Sequence, residues 1–432
     1  MKTIKMSLVA ALAATAATTG ASASMLEEII TNPQLDIELR PRYEYADVDN
    51  NGKDSAKALT VRTAIGVKMG LLGVDGLNAQ LQGMSVDHFG WVNDYNGKTS
   101  GDPKYDVIAD PAQSRMTQAN ISYTYEGFTG ILGRKMVVLD NARFIGNVGW
   151  RQMPQTYDLA AGVYSWEGLN LLAAYVSKVH TVVEKTIDTG SVLLHANYTF
   201  MPELTVTAYD YMIENFADQP GIRATGTFDL NDFKIKYEAE YAAQLDPSLD
   251  SDDHPILAKN IPGAGKAGDI EQDADYYKIS ANVLWNALTV GAYYEMLSAA
   301  DTKNGAYVGN AFSTPLATLH AQNGWADKFL STPDEGLTDL AVSLAYNFGE
   351  FGKIKAVYHT FTSDDDKKVG TQSGDDLGDE IDVAYNYKIT KSLGLLLKGA
   401  WYSAGDQVWE NAGYKDTNKY WVQLDYKFHA SY

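Results

Sequence analysis

The feature that most constrains this chain is a period of two. Leu35, Ile37, Leu39, Tyr43 and Tyr45 fall on one side of an extended backbone, and Asp36, Glu38, Arg40, Arg42 and Glu44 on the other. Successive side chains of a strand point to opposite faces, so such a run makes one apolar and one polar face. The pattern returns in Phe233, Ile235, Tyr237, Ala239 and Tyr241 against Lys234, Lys236, Glu238 and Glu240. It returns again in Tyr277 to Trp285 and in Tyr420 to Tyr432. Counting such runs places strands near 34–46, 58–68, 76–87, 116–126, 128–135, 156–166, 169–178, 191–200, 204–213, 222–230, 233–243, 276–285, 288–297, 338–348, 353–361, 380–388, 393–402 and 420–432. These are about eighteen strands of roughly ten residues, the length a tilted strand needs to cross a bilayer. No stretch after the N-terminus is apolar for long enough to form a transmembrane helix.

The connections sort by parity. Gly127, Glu167-Gly168, Met201-Pro202-Glu203, Asn231-Asp232, Asn286-Ala287, Gly349 to Gly352 and Ile389 to Ser392 read as tight turns. Between them lie long polar stretches at 88–115, 136–155, 179–190, 244–275, 298–337, 362–379 and 403–419. A soluble sandwich has no reason to separate its loops this way. A membrane barrel does, because its periplasmic ends are short turns and its outer ends long loops. Aromatic residues cluster beside the turns, at Tyr123, Tyr125, Tyr198, Phe200, Tyr346, Phe348, Tyr385 and Tyr387, as at a membrane interface. The expected fold is therefore all-β, a transmembrane antiparallel up-and-down barrel of about eighteen strands over residues 34–432. Its polar faces imply a wet lumen walled by Arg40, Arg42, Arg62, Lys234, Lys236, Glu238 and Glu240.

The ends fit export to the cell outer membrane. Lys2 and Lys5, an uncharged run over 6–19 and Ala21-Ser22-Ala23 read as a cleaved signal peptide over 1–23, followed by a short periplasmic segment over 24–33. A ten-residue lead leaves no room for a large plug domain. The aromatic-rich last strand ending at Tyr432 resembles the signal read by the barrel-assembly machinery. The expected surroundings are outer-membrane lipid and lipopolysaccharide. Lys plus Arg total 35 against 55 Asp plus Glu, a net charge of −20, which argues against nucleic-acid binding. Acid concentrates in two outer stretches, 245–275 and 362–380. Asp250, Asp252 and Asp253 lack calcium-loop spacing, so they read as a solvated face bridged by ions rather than a metal site.

One connection differs from the others. Residues 136–155, with the strand ends that flank them, carry Arg134, Lys135, Arg143 and Arg151 with little acid besides Asp140 and Asp158. They also carry Gln152 and the glycines Gly146 and Gly149. A glycine-bearing loop can fold back into the lumen. Its arginines, with Arg134, Asp140, Gln152 and Asp158, would then narrow the pore and bind solutes, since a guanidinium grips two oxygens at once. The other outcome is that the arginines only pin the loop to wall carboxylates. The words Gly133-Arg134, Leu139-Asp140-Asn141, Arg143-Phe144, Gly149-Trp150-Arg151-Gln152 and Gln155-Thr156-Tyr157-Asp158 resemble the signature of the alginate-export family of outer-membrane barrels. The resemblance implies an eighteen-stranded channel for anionic polysaccharide or other small solutes.

Catalysis has no visible apparatus. Phosphate loops, dinucleotide turns, zinc-protease helices and nucleophile elbows are absent from the sequence, and there is no Cys. His195 and His359 fall in strands as lone wall residues, and Glu238 and Glu240 share their face with lysines. No cofactor, metal or catalytic residue is expected. The expected function is passive diffusion of ions and small hydrophilic solutes, anionic ones included, through a lumen constricted by loop 136–155. A polysaccharide-export channel, or an adhesin displaying loops 244–275 and 298–337, is the alternative.

Overall fold

The computed structural model describes residues 29–251, 253, 272–303 and 306–431. The expected signal peptide, most of the segment 24–33, Tyr432 and much of the acidic stretch 245–275 lie outside the described residues.

Eighteen long strands form the wall: β1 (Ile30–Val48), β2 (Ala56–Leu71), β3 (Leu77–Asp87), β4 (Gln113–Tyr125), β5 (Phe128–Lys135), β6 (Thr156–Trp166), β7 (Leu169–His180), β8 (Thr186–Met201), β9 (Leu204–Ile213), β10 (Ala217–Leu230), β11 (Phe233–Leu245), β12 (Asp273–Trp285), β13 (Leu288–Leu297), β14 (Leu337–Asn347), β15 (Lys353–Val369), β16 (Gln372–Lys388), β17 (Leu393–Ala404) and β18 (Thr417–Ser431). Each pairs antiparallel with its sequence neighbours. β1 also pairs with β18, from Gln34↔Ser431 to Val48↔Thr417, so the sheet closes into a barrel. Closure removes the two free edges that an open sheet would expose. A two-residue strand, Asn93–Asp94, adds to the outer end of β2.

The tight turns follow local chemistry. Glu126-Gly127 and Glu167-Gly168 have positive φ at both residues, the hairpin geometry whose twist matches that of the strands. At Gly127 a β-carbon would meet the Ser165 carbonyl oxygen at 2.5 Å, so the position is confined to glycine.

The alternation divides inside from outside as read. Leu132, Ile279, Leu340, Val342 and Leu344 stand outward and exposed, with Tyr123, Tyr125, Phe200, Tyr346 and Phe348 near the short-turn end. The long-loop end departs from expectation in two places. Stretch 179–190 is strand except for a turn at 181–185. Stretch 362–379 is no loop: β15 and β16 run past the rim as a hairpin turning at 370–371, with Lys367↔Gly374 and Val369↔Gln372 paired. Asp and Lys are poor strand formers, but cross-strand backbone bonds carry the extension.

The lumen is also less wet than the polar faces imply. Tyr209, Tyr211, Tyr276, Phe361, Tyr402 and Trp421 project from the wall inward and pack against Phe144, Phe312, Leu316 and Phe329 of two long connections. The buried core of the molecule therefore sits inside the barrel.

Candidate functional site: two loops folded into the lumen

Loop 136–155 leaves β5 and crosses to both sides of the barrel. Asp140 bonds His195 of β8 at 3.0 Å and Arg223 of β10 at 3.2 Å, and Asn141 donates to Glu238 of β11 at 2.8 Å. Arg143 is 1% exposed. Its Nε lies 3.1 Å from Glu295 of β13, and its guanidinium faces the Tyr276 ring. Phe144 packs 5.1 Å from Tyr209 and edge-on to Tyr276. Farther along, Arg40 donates to the Gly149 carbonyl at 3.0 Å, and Arg42 lies 4.2 Å above the Trp150 ring. Arg151 reaches Glu44 of β1 at 3.0 Å, Asp327 at 2.9 Å and Asp110 at 3.7 Å. Gln152 donates to Thr60 Oγ1 of β2 at 2.9 Å. Burial alone would lower the Arg151 pKa. Glu44, Asp327 and Asp110 outweigh that and hold it above the ordinary value, so the side chain stays charged.

Loop 298–336 fills the other part of the lumen. Asn323 donates to Glu295 at 2.6 Å and to Asp339 at 3.2 Å. The Trp325 and Ala326 amides donate to Glu380 of β16 at 2.5 and 2.7 Å. Gly324 makes that wrap possible: its φ is +83°, and a β-carbon there would meet Glu380 Oε2 at 2.5 Å. The two loops also hold each other. The Gly146 amide donates to the Leu316 carbonyl at 2.8 Å, and a β-carbon at Gly146 would strike Thr318 Oγ1 at 2.2 Å. Trp150 stacks on His320 at 4.6 Å.

A buried chain of polar contacts flanks this stack. Lys398 Nζ of β17 lies in hydrogen-bond contact with His320 Nε2 at 2.7 Å, among the rings of Trp150, Trp325 and Trp421. His320 Nδ1 bonds Asp327 at 2.5 Å, and Asp327 also takes Lys419 of β18 at 2.8 Å. Burial, then Lys398 against the opposing pull of Asp327, holds His320 well below its usual pKa.

The expected site residues divide into two groups. Asp140, Arg143, Arg151 and Gln152 come together as the inner loop's anchors, joined by Arg40, Arg42 and Glu238 of the wall; Arg62 pairs instead with Glu38 of β1 at 2.9 Å. Glu240 is buried beneath Tyr209, whose hydroxyl donates to it at 2.8 Å. Lys236 and Lys234 lie toward the short turns, and Lys234 pairs there with Asp229 at 2.8 Å. Arg134 and Asp158 are a correction. Asp158 lies between Tyr157 and Leu159, both buried toward the lumen, and in register with Ala160 and Leu132 on the outward face. Its bonds to Arg134 and His180 therefore knit the outer side of the wall. His359, expected as a lone wall residue, bonds Asp339 at 3.0 Å in a buried acidic cluster with Glu380 and Asp382.

Sequence reasoning left loop 298–336 as a surface feature. A signal was present: residues 304–326 hold no Asp, Glu, Lys or Arg, which is unusual for a solvated loop of this length.

Comparison with known proteins adds the following. Residues 1–149 match the family model of the Campylobacter major outer membrane protein. A search of curated proteins finds no match. Among solved structures, Acinetobacter baumannii OccAB4 superposes with a TM-score of 0.68 at 14% identity, covering 94% of this chain and 100% of that one. Pseudomonas aeruginosa OccK8 (OprE) gives 0.67 at 13%, covering 92% and 98%. Pseudomonas aeruginosa OpdK, solved with vanillate, gives 0.67 at 13%, covering 92% and 99%. At such identities the likeness is one of fold: a closed eighteen-stranded antiparallel barrel. The alginate-export resemblance gains no support from these matches.

Proposed function

We propose that this chain is an outer-membrane porin through which ions and small hydrophilic solutes, anions among them, diffuse passively. The observation that carries the reading is a closed barrel, apolar outward, whose lumen holds charged side chains and two inward-folded loops. In this reading loops 136–155 and 298–336 together narrow the path, and Arg143 and Arg151 set the constriction by pinning the first loop rather than by lining the open channel. The partial match to the Campylobacter major outer membrane protein supports the porin class. The barrel fold shared with OpdK, solved with vanillate, is compatible with organic anions as solutes.

Purified protein in a planar bilayer tests the proposal. Stable ion-conducting steps are expected. Bilayers that stay silent, with protein inserted, would sink it in favour of a sealed barrel that displays its loops.

A further inference from the structure

The outer mouth of the barrel holds a cavity of about 820 Å³. The molecule is acidic, yet the ionised groups around this cavity are mostly cations: Lys53, Lys98, Lys185, Lys328, Lys419 and Arg151 against Asp106 and Asp327. They come from separate connections, at 49–55, 88–112, 136–155, 181–185 and 298–336, and from β18. No single local run of sequence accounts for the cluster.

Both acids are already engaged. Asp327 is shared among Arg151, Lys419 and His320. Asp106 accepts from the Val48 amide at 2.9 Å and from Asn51 at 2.6 Å. Among the described residues, Lys53, Lys98, Lys185 and Lys328 have no carboxylate within 4.0 Å. Lys328 Nζ spends one donor on Thr417 Oγ1 at 3.1 Å and keeps two. Alanine, valine, proline and leucine side chains make up much of the remaining lining. A low-dielectric wall of that kind concentrates the field of the ammonium groups on the cavity.

We propose that this cavity is a docking site for small multivalent oxyanions of the phosphate or phosphate-ester class, captured before they pass to the constriction. Among the described residues, the cations without a carboxylate partner here are lysines, compact charges with rotatable donors that can surround a tetrahedral oxyanion. The planar fork of Arg151, better suited to a single carboxylate, is already spent on Glu44, Asp110 and Asp327. The site rests on the channel reading only for what happens after capture.

Two measurements separate the site from that reading. Calorimetric titration of the detergent-solubilised full chain with inorganic phosphate at pH 7.5 is expected to give saturable binding. The Lys185→Gln/Lys328→Gln variant raises the half-saturating concentration about tenfold, and Lys368→Gln, on the exposed hairpin, leaves it at the wild-type value. In bilayers of fixed ionic strength, phosphate added on the long-loop side is expected to reduce the step current in a saturable manner. Binding that fails to saturate, or is the same in both variants, overturns the site even where channels conduct. Silent bilayers with intact phosphate binding overturn the channel reading alone.

Discussion

At the scale of single residues, the inner loop depends on buried charge with few alternatives. Arg151 is 7% exposed and serves Glu44, Asp110 and Asp327 together. Removing one partner of a buried ion pair typically costs about 3–5 kcal/mol, because the remaining charge is stranded. Arg151→Ala is therefore expected to loosen loop 136–155, lower the melting temperature and give larger, noisier single-channel steps. Traces and melting curves identical to wild type would mean the arginine holds nothing. Lys328 provides a pH readout. Burial, and then Lys419, pushes its pKa down from 10.5 to about 8; Glu380, Asp106 and Asp416 pull the other way. Its ammonium is intact below about pH 8 and lost above it. Anion preference, read from reversal potentials, should fall between pH 7 and 9, with a smaller fall in Lys328→Gln. Stability follows the opposite sign. The native state binds fewer protons than the unfolded chain between about pH 8 and 10.5, so this group's share of folding free energy improves as pH rises through that window.

At the scale of elements, what sequence reveals depends on where an element's partners lie. The wall strands and tight turns are legible because each is dictated locally, by a period of two and by residues such as Gly127 and Asn286 that accept positive φ. The inner loops are not. Phe144 and Phe312 become core only when walls far away in sequence supply Tyr209 and Tyr276. Arg143 finds its acid on β13, which no spacing in 136–155 encodes. The outward placement of Arg134 and Asp158 follows from strand register rather than from the charge of the surrounding loop. The tip of loop 298–336 can be tested through Gly324. Gly324→Ala forces a β-carbon onto Glu380 and lifts the Trp325 and Ala326 amides from it. Proteolysis of liposome-embedded protein should then cut within 298–336 much faster than in wild type, and equal rates would show that the clamp is dispensable. The hairpin gives a topological test. An epitope inserted between Gly370 and Thr371 should be labelled on intact Gram-negative cells, and one at Glu126-Gly127 only after permeabilisation. The reverse result would invert the proposed orientation.

At the scale of the whole molecule, everything rests on which face of the wall meets lipid, and β12 allows that to be tested at a single depth. Ile279 and Ser280 are adjacent at the middle of the strand. Ile279 is 61% exposed on the outward face, whereas Ser280 sits inward opposite Glu238. A lysine facing lipid at the bilayer midplane costs about 2–4 kcal/mol, because hydrocarbon cannot solvate the ammonium. A lysine facing a hydrated lumen beside a carboxylate escapes that cost and should change stability by no more than about 0.5 kcal/mol. Urea titration of folding into phospholipid vesicles should therefore destabilise Ile279→Lys strongly and leave Ser280→Lys near wild type. Single-channel recordings should show the converse, with altered ion preference for Ser280→Lys. If both lysines cost the same, depth and face are not separated in this wall. An outward membrane band, and with it the channel, would then have to be abandoned.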